Sequence, residues 1–204
     1  MWPYLTTRLY IDQTGDLEIL NQQIGYFKDC HVQRCQGQDP LWAEGEYRQK
    51  DTKGKEYTGT VLEHLILQHL TAFWEVGEHN HIRLRNADWN DALDMASHRG
   101  ESVAFSNAYA GNLIGLAELI EEQQHRGYEE FQFLQEMEIL FTEDMALYED
   151  PDGKQKLLEE YLGKCMHHVS GNSIRVDAGE LADNLRKKGQ WMQEHIRRTE
   201  WIEE

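Results

Sequence analysis

The sequence predicts an all-α fold, and three observations carry that expectation. Its 204 residues include only three prolines, long stretches repeat apolar residues every three or four positions, and βαβ alternation is nowhere visible. Tyr4 to Tyr10 reads as a short helix stopped by Thr14-Gly15, after which Asp16 is placed to cap a helix over Leu17 to Phe27. Residues 30–57 are polar and rich in Gly, Gln and Lys, the composition of a long loop. Thr58 to Trp74 carries a broad stripe of Val61, Leu62, Leu65, Ile66, Leu70, Phe73 and Trp74 and is expected to be a strong helix. Ser102 to Gln124 and Tyr128 to Tyr148 are expected to be the next two helices. Asp150-Pro151-Asp152-Gly153 then reads as a turn, and Lys154 to Val169 as a helix. An extended stretch over Val169 to Val176 and a last helix over Asp177 to Arg198 complete the reading.

Charge narrows the partners. The formal net charge is -17, and residues 121–160 alone hold thirteen acidic residues against Arg126, Lys154 and Lys156. A field of that sign repels phosphate backbones, so a nucleic-acid partner is not expected. No apolar run approaches the roughly 18 residues of a membrane span, so no membrane partner is expected. The start Met1-Trp2-Pro3-Tyr4 lacks the basic and apolar regions of a signal peptide, which points to a cytoplasmic protein. Cys30, Cys35 and Cys165 are odd in number, and with His31, His167 and His168 they match no common zinc spacing; no metal is expected. Trp2, Trp42, Trp74, Trp191 and Trp201 read as packing residues, and Glu63, His64 and His69 as hydrogen-bonded polar groups at a helix–helix contact.

The densest run of chemistry is Leu84 to Asp94, between the two strongest helices. A sugar site needs an aromatic face for the pyranose ring, amide or carboxylate partners for hydroxyls, and a carboxyl group near the glycosidic oxygen. Trp89, Asn90 and the pair Asp88/Asp91 offer all three within four residues. Carboxyl groups three residues apart can share one face of a helical turn and raise each other's pKa, favouring a protonated acid. The residues alone also fit a helix N-cap cluster, or a cation loop through Asp88, Asn90 and Asp94, although the EF-hand pattern fails. Arg83 and Arg85 are near enough in sequence to be phosphate ligands, but read more simply as solvated or acid-paired groups.

Asp88-Trp89-Asn90-Asp91 resembles the Asp-Trp-Asn-Asp signature of glycoside hydrolase family ninety-four, which includes cellobiose, chitobiose and 1,2-β-oligoglucan phosphorylases. Thr14-Gly15-Asp16 with Ile19-Leu20, Thr60-Val61-x-Glu63-His64, and Gly100-Glu101-Ser102-Val103 resemble other family segments in the same order. The run from Arg85 through Met95, with Arg99 to Phe105 and Tyr109 to Leu113, looks most similar to the 1,2-β-oligoglucan phosphorylases. Ala92 departs from the glycine that follows the signature in many relatives. The resemblance implies that residues 1–204 are about half of an (α/α)6 barrel. It implies an inverting glycoside phosphorylase that cleaves β-linked gluco-oligosaccharides, β-1,2 by the nearest subgroup, to a sugar 1-phosphate. Asp91 matches the general acid, Trp89 the aromatic against the sugar, and Asp88 a sugar-binding carboxylate, with Asn90 beside them. Inorganic phosphate would be co-substrate, with no cofactor. The implied partners are oligosaccharide and phosphate, with the remainder of the barrel, or self-association, covering apolar faces that half a barrel leaves open. The competing expectation is an inactive truncated fragment that binds carbohydrate weakly at most.

Overall fold

The computed structural model describes residues 1–32, 37–85, 96 and 99–201. Helix α1 (Trp2–Thr14) has proline in its first turn, where the missing N–H costs nothing, and it ends at Gly15. That glycine adopts φ 71° and returns its N–H to the Ile11 carbonyl. Asp16 does act as a cap, accepting from the Glu18 N–H, but over a short 3-10 turn (Leu17–Asn21) rather than a helix to Phe27. At Gln22 the backbone turns extended and enters strand β1 (Gln23–Gly25). A small antiparallel pair, β2 (His31–Val32) and β3 (Gly37–Gln38), lies within the polar loop. Strand β4 (Thr58–Thr60) then closes on β1, with Gln23 opposite Thr60.

Helix α2 (Val61–Trp74) follows at once, and the Thr60 hydroxyl caps it by accepting from the Glu63 N–H at 3.0 Å. Helix α3 (Val103–His125) is capped by Ser102 in the same way. The expected helix over Tyr128 to Tyr148 is not one helix. It is strand β5 (Glu130–Leu134), a 3-10 segment (Gln135–Phe141) and a single turn, α4 (Met145–Tyr148). Phe131 and Phe133 are buried while Glu130 and Gln132 are exposed, a period of two that suits a strand. The predicted turn at Asp150 is instead the start of α5 (Pro151–Cys165): Asp150 caps and Pro151 takes the first helical position. Strand β6 (Ser173–Asp177) pairs antiparallel with β5, and Asp177 caps the last helix, α6 (Ala178–Thr199). The fold is therefore helix-dominated rather than all-α, with three two-stranded antiparallel sheets among the described residues.

One core joins these elements. Leu62, Leu65, Ile66 and Leu70 of α2 meet Leu113, Leu116 and Ile120 of α3 and Leu181 and Leu185 of α6. Helices α3 and α6 approach closely at Gly189, where an added Cβ would lie 2.7 Å from the Ala110 carbonyl oxygen. Trp74 and Trp191 pack in the core as expected, whereas Trp2 and Trp201 are 71% and 77% exposed. No described helix is long and apolar enough to cross a membrane.

Polar groups tie the core together. The buried Glu63 carboxylate accepts from the Tyr26 hydroxyl (2.7 Å), the Tyr57 hydroxyl (3.1 Å) and the Leu134 N–H (3.0 Å). Its partners thus lie on strand-flanking segments rather than on a neighbouring helix. His69 does bridge two helices, since Asn112 of α3 donates to its Nε2 at 3.1 Å. His64 donates to the Ile24 carbonyl at 3.1 Å and stacks on Tyr26.

Two lysines are fully buried among the described residues. Lys154 donates to Asn80 Oδ1 at 2.8 Å, with its amine over the rings of Trp191 (4.0 Å) and Phe73 (4.4 Å). Lys188 donates to the Thr142 carbonyl (3.0 Å) and to Asn184 Oδ1 (2.8 Å). Burial pushes the Lys154 amine well down and the Lys188 amine down to about 7, against the opposing pull of nearby carboxylates.

The sign of the pH effect follows for Lys188. Unfolded lysine titrates at about 10.4, so between about 7 and about 10.4 the unfolded chain holds a proton that the folded chain lacks. Stability therefore rises with pH through that window, and below it the full cost of burying a charge is present. Lys188→Met should be most stabilised relative to the parent near pH ~6, with the difference narrowing toward pH ~9. Urea unfolding of both proteins across that range measures it.

Candidate functional site

The signature residues Asp88, Trp89, Asn90 and Asp91 lie outside the described residues; the chain is described up to Arg85 and from Arg99 on. Helix α2 ends at Trp74, and Glu75 caps it through its N–H to the Thr71 carbonyl. The chain then folds back: Gly77 N–H donates to the His81 carbonyl (3.0 Å), and Val76 bridges Ile82. Asn80 sits at φ 64°, a conformation asparagine tolerates better than most residues. Its amide donates to the Tyr148 carbonyl (2.9 Å) while its oxygen accepts from buried Lys154. The aromatic core thereby holds the turn.

Beyond that turn, the segments before and after the signature pair with each other. Arg83 bridges Glu101 in antiparallel fashion, Leu84 N–H donates to the Gly100 carbonyl (3.1 Å), and Ser102 N–H donates to the Ile82 carbonyl (3.0 Å). The Ser106 hydroxyl of α3 accepts from the Ile82 N–H at 2.9 Å. Residues 82–85 and 100–102 thus form a stem between the C-terminus of α2 and the N-terminus of α3.

Carboxylates brace the stem from inside. Glu101 accepts from the His79 N–H (3.2 Å), the His81 N–H (3.0 Å) and the His79 ring (2.9 Å). Arg85, at φ 52°, donates to the buried Glu75 carboxylate at 2.6 Å. This is the acid-paired reading of Arg85 rather than the phosphate-ligand one. Helix α6 supports the outer side: His195 donates to the His79 carbonyl (2.9 Å), and His81 donates to Glu200 (3.1 Å). Burial lowers the His195 pKa, which keeps its ring neutral, with one nitrogen donating to the carbonyl and the other accepting from Arg198.

Sequence reasoning places the candidate chemistry but misses this bracing. Gly100-Glu101 reads there only as the approach to a helix, and Glu75 carries no signal of its own. The clue is the density of Glu and His in Glu75-Val76-Gly77-Glu78-His79-Asn80-His81. A cavity of about 660 Å3 lies elsewhere, between the 3-10 segment and α5, and is lined by Glu136, Glu138, Glu160, Lys164 and His168 among others. Among the described residues, no group of His, Cys, Asp and Glu is placed to hold a metal ion. Cys30 and Cys165 are free thiols, and Cys35 lies outside the described residues.

The chain is similar to a solabiose phosphorylase from Paenibacillus borealis, at 27% identity over 124 residues, or 60% of this chain. The match spans 13% of that relative's length. No protein-family profile matches the chain.

The Arg85–Glu75 pair gives a direct check on the stem. Arg85→Met should remove this charged hydrogen bond to the buried Glu75 carboxylate, worth roughly 1.5–3 kcal/mol. Chemical denaturation should show a loss of that order. Hydrogen exchange should show the Leu84 amide losing protection first.

Proposed function

We propose that this chain is a catalytic segment of an inverting glycoside phosphorylase acting on β-linked gluco-oligosaccharides, β-1,2-linked by the subgroup it most resembles. The observation that carries the reading is the run Asp88-Trp89-Asn90-Asp91, set between two segments that pair into a braced stem at the end of a helical core. The similarity to a phosphorylase supports the same reaction type.

In this reading Asp91 is the general acid and gives its proton to the glycosidic oxygen as the bond to the anomeric carbon breaks. An oxygen of inorganic phosphate attacks that carbon from the opposite face, so the product is a sugar 1-phosphate of inverted configuration. An inverting hydrolase needs a second carboxylate to activate water; phosphate is itself a nucleophile and needs none. Trp89 packs against the pyranose, and Asp88 and Asn90 hold its hydroxyls. No metal or other cofactor enters this scheme.

The rest of the barrel, and with it the phosphate cradle, comes from outside residues 1–204. Trp2, Leu5 and Leu9 of α1 are exposed, lie at helical spacing, and form an apolar stripe of the kind that such a partner, or a second copy, would cover. The chain taken alone is then inactive, with weak carbohydrate binding at most. Its place is the cytoplasm.

Assays with β-1,2-gluco-oligosaccharides and phosphate test the reading at two levels. The isolated chain should release no glucose 1-phosphate above background; turnover at ordinary enzyme rates would remove the need for a completing half. In the completed enzyme, Asp91→Asn should lower phosphorolysis by about 10²–10⁴-fold, and less for an aryl β-glucoside with a good leaving group such as a nitrophenolate, which needs little protonation. Asp88→Asn should instead weaken both substrates through binding. The opposite pattern would reverse the roles of the two carboxylates.

A further inference from the structure

The polar loop before α2 presents aromatic rings to solvent in a fixed arrangement. Phe27 is 70% exposed and Tyr47 47% exposed. Their ring planes are tilted by only 3° and their centroids lie 6.3 Å apart, an offset that leaves ring surface open on both. Trp42 stands beside them, 6.1 Å from Tyr47.

The backbone beneath is pinned. Lys28 N–H donates to the Tyr47 carbonyl (3.1 Å) and Gln49 N–H to the Tyr26 carbonyl (3.0 Å), while the Trp42 indole donates to the Glu46 carbonyl (3.0 Å). Next to Phe27, the Lys28 amine pairs with the buried Asp39 carboxylate (2.9 Å), which also accepts from the His167 ring (2.8 Å). Burial pushes the Asp39 acid up, but the hydrogen bonds from His167 and Lys28 outweigh it and bring it to about 2. The backbone that carries the rings is thus set before any partner arrives, which lowers the ordering cost of binding.

Charge selects the class of occupant. Residues 23–57 carry six acidic and six basic side chains, so this segment is neutral in a chain of net charge -17. Neither a polyanion nor a polycation is drawn to it. Polar groups border the rings on one side: Lys28, Asp29, His31 and Gln49 line a cavity of about 200 Å3 beside Phe27, together with Val32, Leu162, Cys165 and Met166. A flat apolar face rimmed by hydrogen-bonding groups and without net charge matches a pyranose, which has an apolar CH face edged by hydroxyls.

We propose that the Phe27–Tyr47 pair, with Trp42 beside it, is a surface platform for a neutral gluco-oligosaccharide, distinct from the stem that carries the signature. The platform lies along the first half of α2, where Tyr26 meets Glu63 and His64, whereas the stem leaves the helix's other end. The choice of a glucan among neutral sugars rests on the reading of the chain as a phosphorylase segment; the platform itself does not.

Titration calorimetry of the 204-residue chain with β-1,2-, β-1,3- and β-1,4-linked glucotetraose tests the proposal. At least one should bind. Phe27→Ala and Tyr47→Ala should each weaken it by about tenfold or more, with unfolding midpoints near the parent's because both rings are exposed. Phe27→Leu, which stays apolar but lacks a ring, should fail as well. If Asp91→Asn abolishes binding while the ring variants keep it, the platform is wrong and the signature reading stands. Absence of binding to all three sugars, or retention by Phe27→Leu, would also overturn the platform. So would sedimentation showing that Phe27→Ala abolishes self-association, since the face would then belong to a second copy.

Discussion

The Glu63 carboxylate is where three otherwise separate pieces of chain meet. Its helix supplies the acid, Tyr26 and Tyr57 arrive from the segments next to β1 and β4, and the Leu134 N–H comes from the end of β5. Burial raises its pKa, while the hydrogen bonds from Tyr26, the Leu134 amide and Tyr57 pull the other way. Glycine at position 59 is required by the same contact, because a Cβ there would run into the Glu63 carboxylate. Thr60 and Glu63 have the spacing of a capping box, yet only the threonine half is used for capping. The glutamate turns inward to gather the strands.

With the first turn of α2 fixed in this way, its last turn delivers the stem. Phe73 and Trp74 enter an aromatic cluster with Tyr148 and Trp191, and Lys154 rests on that cluster while holding Asn80. The chain can therefore reverse sharply after Glu75 without losing its hydrogen bonds. The acids of the reversal act on the chain itself, with Glu75 holding Arg85 and Glu101 holding the backbone at His79 and His81. The Arg85–Glu75 pair is buried, whereas the contacts of Glu101 with His79 reach the surface.

The protein also separates its charges. Residues 121–160 concentrate the acidic surface, whereas the loop that carries Phe27 and Tyr47 is balanced. A strong field over one part of the surface favours solubility, and a neutral aromatic patch over another leaves room for a ligand whose binding does not depend on charge.

The sequence by itself determined the helices whose apolar periodicity is long and whose caps are local. The helices expected from Thr58, Ser102 and Asp177 are α2, α3 and α6 to within a few residues, and each starts at a side-chain cap, Thr60, Ser102 or Asp177, that acts without help from the rest of the chain. It also located the run from Asp88 to Asp91 as the chemical candidate. Only the tertiary structure decided that Glu130 to Leu134 is a strand, since Phe131 and Phe133 needed β6, roughly forty residues on, as a partner. Pro151 was legible as a break but not as the start of a helix, which depended on Asp150 being free to cap it. The stem was hidden for the same reason: Glu75 with Arg85, and Glu101 with His79 and His81, are pairs whose meaning appears only when the chain doubles back and brings them together.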